Sequence, residues 1–217
     1  MGKNLLVVAA TAREISPFVQ LIRKDQVSNN NIDILISGIG LTPTTYHLVK
    51  QIKIKKYDLV VQAGVAGCFD TNIGLGDILI VKQDTIADQS VIEMQKLKTL
   101  FDLKLVPQNQ PPYKKGWLIN PDKNLLKHSG IKTVKGISVN QISTSKRMIK
   151  FYRDMFNPVT ESMEGAALHY VCLMEKISFL QIRSISNYIG ERNKKKWNMQ
   201  ESINNLNEAL IGTINNY

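Results

Sequence analysis

The stretch "FLQIRSISNYIGE", from Phe179 to Glu191, has the composition of a buried strand that becomes polar toward its carboxyl end. Its apolar residues suit the interior of a sheet: Phe179, Leu180, Ile182 and Ile185. Polar residues stand between and after them: Arg183, Ser184, Ser186 and Asn187. A guanidinium in a core strand and an amide at its tip leave two interpretations. Either the strand is an edge strand with one solvent-exposed face, or it ends at a functional site.

Strand and helix signals alternate through the rest of the chain. A continuous apolar run, typical of a strand covered on both faces, occupies residues 5–10, and further strands are predicted over 32–38, 57–67 and 76–82. Helices are predicted to begin at Ser16-Pro17 and at Thr42-Pro43, because proline is favoured in a first helical turn. The later pattern predicts strands over 135–139 and near Val159, and helices over 146–156 and 163–176.

Two segments complete this interpretation. Residues 87–121 contain Pro111-Pro112 and mixed patterning, so we predict an irregular segment there. The last helix has apolar residues at three- and four-residue steps: Met199, Ile203, Leu206, Leu210 and Ile214. No linker, repeat or low-complexity tract divides the chain. The pattern therefore predicts an α/β fold with one domain, residues 1–217, and a three-layer α/β/α architecture around a mixed, mostly parallel twisted sheet.

Composition narrows the class of protein. The chain has 217 residues and a net charge of +10, but its lysines are scattered and aromatic residues do not alternate with them. We therefore expect no nucleic-acid partner. Cys68 and Cys172 lack metal-ligand spacing, so we expect reduced core thiols and no metal site. The apolar run at the N-terminus is too short for a membrane span and lacks a signal-peptide cleavage region, so we expect a cytoplasmic protein.

Polar and small residues collect where the predicted strands end. Ligands of open α/β sheets bind beyond the carboxyl ends of the strands, so these residues are the candidates for a site. In chain order they are Glu14, Gly38, Gly40, Gly64, Gly67, Met163, Glu164, Ser186 and Asn187. Two carboxylates, an amide and three turns of small residues are thus expected on one rim.

Most of these residues also have a purely structural explanation. Glu14 suits the first turn of a helix, where the helix dipole favours a negative charge. Glu164 precedes a helix with little polar surface, so its carboxylate needs a partner. The pair Gly38 and Gly40 matches no complete dinucleotide fingerprint. The histidines lack ligand spacing and are interpreted as structural: His47, His128 and His169.

Five motifs, in this order and spacing, resemble the nucleoside phosphorylase/nucleosidase family, which cleaves the bond between a nucleobase and ribose. They follow the glutamate after the first strand and are "SGIG" (37–40), "AGVAG" (63–67), "GLGDILI" (74–80), "SMEGAAL" (162–168) and "IRSISNYIG" (182–190). The resemblance covers nearly the whole chain. Within the family, "SMEGAALHYVC" and "FLQIRSISNYIGERNKKKW" are most similar to the futalosine hydrolases of menaquinone biosynthesis.

The resemblance implies roles for the candidate residues. Glu164 would accept hydrogen bonds from ribose hydroxyls, with Met163 beneath the sugar. Glu14 would be the general base that deprotonates an attacking water. Arg183 would balance a nearby carboxylate, Glu14 being the first candidate, or would form a structural ion pair. Further substrate contacts are expected from Val65, Ala66, Gly67, Arg183 and Ser186, and base stacking from Gln141 and Ile142.

The chain departs from the phosphorylases of the family in its anion-binding positions. The third-strand turn has Val65, which lacks a hydroxyl, and the first loop has Glu14, which repels a phosphate dianion. Arg13 is expected to point away because it is the immediate neighbour of Glu14. Water is therefore the predicted nucleophile. Related adenine-releasing nucleosidases tend to have serine in place of Val65, so the water is expected to be held differently.

Asn187 predicts which base leaves. Adenine-releasing members have an aspartic acid here that can protonate N7 of the base, whereas an amide offers one donor and one acceptor side by side. That pair matches a 6-oxopurine, so hypoxanthine is the expected leaving group. The implied reaction is hydrolysis of futalosine to hypoxanthine and dehypoxanthine futalosine.

Three alternatives remain open. They are a methylthioadenosine/S-adenosylhomocysteine or aminofutalosine nucleosidase, a purine nucleoside phosphorylase, and a nucleoside-binding protein without catalysis. In each case the expected partners are a purine nucleoside, water for a hydrolase, and further copies of the chain in a homodimer or higher homo-oligomer, with no cofactor and no membrane. The aryl carboxylate beyond the 5′ carbon of futalosine is expected to meet residues of the central segment: Phe101, Leu103, Lys104, Leu105, Lys114 and Lys115.

Overall fold

Strands and helices alternate along residues 2–24 and 30–217, which are the residues that the computed structural model describes. The strands are β1 (Asn4–Ala9), β2 (Asn31–Ile36), β3 (Leu59–Cys68), β4 (Ile78–Asp84), β5 (Ser90–Glu93), β6 (Lys96–Thr99), β7 (Leu118–Ile119), β8 (Thr133–Ser138), β9 (Thr160–Ser162) and β10 (Phe179–Tyr188). The helices are α1 (Ser16–Ile22), α2 (Leu41–Ile54), α3 (Lys123–His128), α4 (Lys146–Phe156), α5 (Gly165–Glu175) and α6 (Met199–Asn215). The predicted α/β class is confirmed.

The main sheet closes on itself, which corrects the prediction of an open three-layer sheet. Its order is β10-β4-β8-β9-β3-β1-β2, and β10 also pairs with β3, so that five strands form a closed ring. Five strand pairs are parallel and three are antiparallel, as expected for a mixed, mostly parallel sheet. Closure depends on β10 being paired along both edges, which the apolar pattern of a single strand does not reveal.

Strands β1 and β3 are covered on both faces, which explains their apolar sequences. Alternate residues of β1 and β3 pack on α1 and α6 on one face, through Leu5, Val7 and Leu206. Their neighbours along the chain pack on α2 and α5 on the other face, through Leu6 and Leu168. Because successive side chains point to opposite faces, a strand covered on both sides must be apolar at every position.

The central segment is more regular than predicted. Residues 87–121 include the hairpin β5–β6 and the short strand β7, and α3 follows at a position where no helix was predicted. The hairpin turns at Met94 and Gln95, which both have positive φ, 48° and 62°. Two-residue turns of this kind usually carry asparagine or glycine, so a Met-Gln turn gives no recognisable hairpin signal.

A buried polar cluster lies between the sheet and the start of α5. Asp84 accepts a hydrogen bond from Ser138 Oγ at 3.0 Å, and Gln181 lies beside Asp84 against Gly165. A Cβ at Gly165 would come within 2.2 Å of Asp84 Oδ2 and Gln181 Nε2, so only glycine fits this first residue of α5. His169, on the same helix, is fully buried, and its Nδ1 lies 2.9 Å from the carbonyl of Leu118.

Burial shifts the two titratable groups of this cluster in opposite directions. It raises the pKa of Asp84 from 3.8 to about 6, although Ser138, Arg183 and Gln181 favour the carboxylate. It lowers the pKa of His169 from 6.5 to about 4. Between about pH 4 and 6 the folded protein keeps a proton on Asp84 that the unfolded chain releases, so Asp84 lowers stability as pH rises. The unfolded chain protonates His169 in this window and the folded protein does not, so His169 raises stability as pH rises.

Asp84→Asn should therefore expose the pH dependence of His169. We expect the free energy of unfolding to rise with pH between 4 and 6.5 more steeply in the variant than in the unmodified protein. The difference between the two should change by about 3 kcal/mol, since each pKa unit corresponds to about 1.4 kcal/mol. Urea unfolding across this pH range measures it, with the exposed Asp154→Asn as the control. Parallel curves for Asp84→Asn and the unmodified protein would contradict the assignment.

Candidate active site

The predicted site residues meet at one cleft of about 330 Å³ beyond the carboxyl ends of β1, β3 and β10. Nine of the eleven line it: Glu14, Val65, Ala66, Gly67, Ile142, Met163, Glu164, Ser186 and Asn187. Arg183 and Gln141 lie elsewhere. The strand order explains the convergence, because parallel neighbours deliver their carboxyl ends to the same edge of the sheet.

Glu14 faces the cleft rather than the amino end of α1. Its Oε2 accepts hydrogen bonds from the backbone N–H of Thr11 at 3.0 Å and from Thr11 Oγ1 at 2.9 Å. Its Oε1 accepts from the backbone N–H of Val65 at 3.2 Å. Asn207 of α6 donates to the backbone carbonyl of Glu14 at 2.8 Å and so fixes this turn from behind. The carboxylate thus bridges the first loop and the third-strand turn.

Glu164 is the second carboxylate of the cleft, and it is the nearest acidic partner of Arg183. Its Oε1 accepts the backbone N–H of Gly40 at 3.0 Å, and its Oε2 lies 4.0 Å from Arg183 Nη1. Gly40 has a φ of +97°, a conformation that favours glycine. Burial raises the pKa of Glu164, Arg183 and the Gly40 N–H oppose this shift, and the negative charge of Glu14 adds to it.

Arg183 lies behind the cleft and not on its wall. The side chain is 1% exposed, and Nη2 donates to Gln62 Oε1 at 2.6 Å. A Cβ on Gly64 would come within 2.3 Å of Arg183 Nη1 and 3.1 Å of Glu14 Oε1, so the guanidinium and Glu14 pack over this glycine. Arg183 was expected to pair first with Glu14, but its ion pair is with Glu164. The guanidinium is buried behind the cleft, a position that does not fit direct contact with a substrate.

A β-bulge places Asn187 at the cleft. Ile185 pairs with Ala66 and Asn187 pairs with Gly67, so Ser186 is an extra residue in β10. Bulges of this kind change the direction of the following side chain. Ser186 Oγ donates to Asn187 Oδ1 at 3.0 Å, and Asn187 Nδ2 donates to the carbonyl of Tyr188 at 3.1 Å. These two bonds fix the orientation of the amide.

Strand β10 is therefore not an edge strand. It pairs with β3 on one side and β4 on the other, so exposure of an edge strand to solvent does not explain its polar residues. Arg183 balances a buried carboxylate, and Ser186 and Asn187 reach the cleft. The second of the two interpretations of this strand agrees with the structure.

Eleven further residues line the cleft that the sequence did not identify: Ala10, Thr11, Arg13, Ile39, Glu161, Ser162, Ile189, Arg192, Trp197, Met199 and Ile203. Arg13, which was expected to point away, is among the residues that line the same cleft as Glu14. Arg192 stacks over the Trp197 ring with its guanidinium carbon 5.5 Å from the centroid. These two residues lie in an irregular segment after β10 without periodicity, where sequence patterns carry no signal.

Gln141 and the central segment lie outside the cleft. Gln141 lines a neighbouring cavity of about 400 Å³, which shares Ile142 with the cleft. The central residues expected near a 5′ group do not line the cleft of the single chain. Phe101 instead packs against Tyr113 with ring centroids 5.1 Å apart. Ile142 borders both spaces, so the loop that carries it forms the wall between the cleft and the neighbouring cavity.

Other chemistry finds little support in the described part of the chain. Residues 2–24 and 30–217 contain no group of three or more His, Cys, Asp or Glu side chains positioned to hold a metal ion. Among the same residues, no helix has both the length and the hydropathy of a membrane span. Cys68 and Cys172 are buried and free, and burial raises the pKa of both thiols. Neither thiol lines the cleft, whose carboxylates are those of Glu14, Glu161 and Glu164 and whose amide is that of Asn187.

Known proteins with similar sequences include a nucleosidase and a futalosine hydrolase. A 5′-methylthioadenosine/S-adenosylhomocysteine nucleosidase of Haemophilus ducreyi is 23% identical over 202 residues, 90% of this chain and 85% of that protein. A futalosine hydrolase of Acidothermus cellulolyticus is 24% identical over 184 residues, 82% of this chain and 73% of that protein. At this level of identity the two names are supported equally.

Solved structures show the same fold. The 5′-methylthioadenosine/S-adenosylhomocysteine nucleosidase of Helicobacter pylori, with butyl-thio-DADMe-Immucillin-A, superposes with a TM-score of 0.81 at 19% identity, over 99% of this chain and 98% of that one. Futalosine hydrolase of the same organism superposes with a TM-score of 0.80 at 20% identity, over 98% and 97%. The family model of the phosphorylase superfamily matches residues 13–214. The chain belongs to the phosphorylase superfamily.

Proposed function

We propose that this protein hydrolyses the N-glycosidic bond of a purine nucleoside, and that its substrate is futalosine, which yields hypoxanthine and dehypoxanthine futalosine in menaquinone biosynthesis. The observation that carries the proposal is the placement of Glu14, Glu164 and Asn187 around one cleft. We place the enzyme in the cytoplasm as a homodimer or higher homo-oligomer. It needs no cofactor.

Glu14 is the general base of this proposal. Its two oxygens accept three hydrogen bonds from Thr11 and Val65, which leaves lone pairs for a water in the cleft. The water oxygen forms a bond to C1′ of the ribose while the bond from C1′ to N9 breaks, and one water proton passes to Glu14. The electron pair leaves with the base, which takes up a proton from solvent, and Glu14 later returns its proton to solvent.

Glu164 binds the sugar. Its Oε1 is held by the Gly40 N–H, and Oε2 faces Arg183 at 4.0 Å, so the carboxylate is oriented on two sides. The remaining lone pairs can accept hydrogen bonds from two neighbouring ribose hydroxyls. Met163 lines the cleft next to Glu164 and supplies an apolar surface beneath the ring.

Water is preferred over phosphate because Glu14 already occupies the donors that an anion would use. The backbone N–H of Val65, in the third-strand turn, donates to Glu14 Oε1. A phosphate placed there would lose this donor and would face a carboxylate at short range. Arg13 at the cleft is the one observation that favours a phosphorylase, so the experiment below includes phosphate.

The Asn187 amide selects the base. It presents a donor and an acceptor but no acidic proton, which suits O6 and protonated N7 of a 6-oxopurine. Release of adenine needs a proton donor for N7, and this is the argument against a methylthioadenosine/S-adenosylhomocysteine or aminofutalosine nucleosidase. The names of several relatives favour this alternative. A nucleoside-binding protein without catalysis would not need Glu14.

Incubation with nucleosides tests the proposal directly. Futalosine, inosine, methylthioadenosine and aminofutalosine are each incubated with the protein, with and without phosphate, and base release is followed by chromatography. We expect hypoxanthine from futalosine at a rate that phosphate does not change. Faster cleavage of aminofutalosine than of futalosine would show that the substrate assignment is wrong. Base release that depends on phosphate would indicate a phosphorylase. Binding of a nucleoside without turnover would indicate a binding protein.

Asn187→Asp should shift the base preference. An aspartic acid can protonate N7 of adenine, so the ratio of kcat/KM for aminofutalosine to that for futalosine should rise by about tenfold or more, the usual range for a positioned acid being about 10²–10⁴. Ser186→Ala serves as the companion variant, because it loosens the side chain without adding an acid. An unchanged ratio in Asn187→Asp would contradict the role of the amide.

Glu14→Gln should remove turnover while substrate binding remains. A glutamine keeps an oxygen that can accept the Val65 N–H but cannot take a proton from water, so kcat should fall by about 10²–10⁴. Calorimetric titration with hypoxanthine should give a Kd within about threefold of that of the unmodified protein. Retention of more than a tenth of kcat would exclude Glu14 as the base.

A further inference from the structure

The loop after β8 is held at two points by carboxylates from different parts of the chain. Asp88 Oδ2 accepts the backbone N–H of Asn140 at 2.5 Å and that of Gln141 at 3.2 Å. Glu161 Oε1 accepts the backbone N–H of Ser143 at 3.0 Å, and Glu161 Oε2 accepts the Ser143 hydroxyl in a short hydrogen bond. Three backbone donors of residues 140–143 are thus bound to carboxylates. We call these four residues the base loop.

Ile142 is the residue between the two attachment points. It lines the cleft, and it also borders the neighbouring cavity that contains Gln141 and Asp88. Within the described residues, its backbone N–H and carbonyl make no hydrogen bond. The loop itself contains no regular structure, so the carboxylates on either side of Ile142 determine where this wall of the cleft stands.

Burial of the Glu161 carboxylate costs free energy, so packing alone would favour an apolar residue at this position. It is 5% exposed, and burial raises the pKa of its carboxyl although both bonds from Ser143 oppose the shift. A buried carboxylate with bonded oxygens contributes geometry that an apolar residue cannot. Glu161 borders the cleft, but both of its oxygens are hydrogen-bonded to Ser143, so its carboxylate holds the loop.

The position of Glu161 in β9 links the base loop to the rest of the site. Glu161 is paired with Ile137 of β8 and with Gly67 of β3. A Cβ on Gly67 would lie 3.4 Å from Asn187 Nδ2, so β3, the neighbour of β9 in the sheet, passes directly beside the amide. Three residues later the same segment delivers Glu164. Strand β9 and the turn that follows it therefore carry both the attachment of the base loop and the carboxylate proposed for the sugar.

We propose that Asp88 and Glu161 are positioning residues that hold the base loop at a fixed distance from Asn187 and Glu164, so that a purine fits between Ile142 and the amide. The assignment of this side of the cleft to the base rests on the proposed function. The two carboxylates act through the loop backbone and touch no reacting atom.

Three variants and a control test the proposal. Glu161→Ala and Asp88→Ala should each raise the Kd for hypoxanthine and the KM for the nucleoside about tenfold, equivalent to about 1.4 kcal/mol. In both, kcat should change by less than about threefold, because Glu14 is untouched. Glu161→Gln should restore near-normal values, since its oxygen accepts the Ser143 N–H and its nitrogen donates to the Ser143 hydroxyl. Asp154→Ala, an exposed acidic residue on α4, is the control.

Hydrogen exchange separates this proposal from the proposed function. The amides of residues 140–143 should exchange faster in the two alanine variants than in Glu161→Gln or the control, whether or not any nucleoside is cleaved. Faster exchange with weaker binding of hypoxanthine, but no turnover of any nucleoside, would contradict the proposed function and support the positioning role. Unchanged exchange, or an equal loss of binding in Glu161→Gln and Glu161→Ala, would overturn the positioning role.

Discussion

The buried charge of Arg183 is the constraint around which the site is arranged. A guanidinium with 1% exposure needs compensation for its buried charge, and here Gln62 accepts a hydrogen bond from it while Glu164 supplies an opposite charge at 4.0 Å. Glu164 in turn needs the positive charge, because burial and Glu14 both raise its pKa. Gly64 leaves the space in which Arg183 and Glu14 pack. The cation behind the cleft thus offsets part of the repulsion between Glu14 and Glu164.

Closure of the sheet brings these groups together. Strand β10 carries Arg183 in its middle and Asn187 near its end, and it is bonded to β3 and β4 at once. Its neighbour β3 provides Gln62, Gly64 and the Val65 N–H. Strand β9 then joins the ring and leads into Glu164. The groups proposed to bind the sugar and the base thus lie on or next to neighbouring strands of one sheet. The pairing of these strands therefore sets the distance between the groups.

Much of the site could be predicted because strand ends are recognisable along the chain. Glu14 and Asn187 follow strands with apolar residues, Glu164 precedes an apolar helix, and parallel strands bring such positions to one edge. The contribution of Glu161 was missed because β9 has only three residues and gives no periodic signal. Arg13 was misplaced because adjacency to Glu14 was taken to set its direction, whereas residues in a turn do not alternate as they do in a strand.

The sequence by itself determined the α/β class, most of the strands and helices, and the residue types available for chemistry, because hydrophobic periodicity and capping are local properties. Only the tertiary structure decided that the sheet closes, that Arg183 pairs with Glu164, and that the bulge at Ser186 places Asn187 at the cleft. These features depend on pairings between residues far apart in the chain, where register and distance are set by packing of the whole sheet.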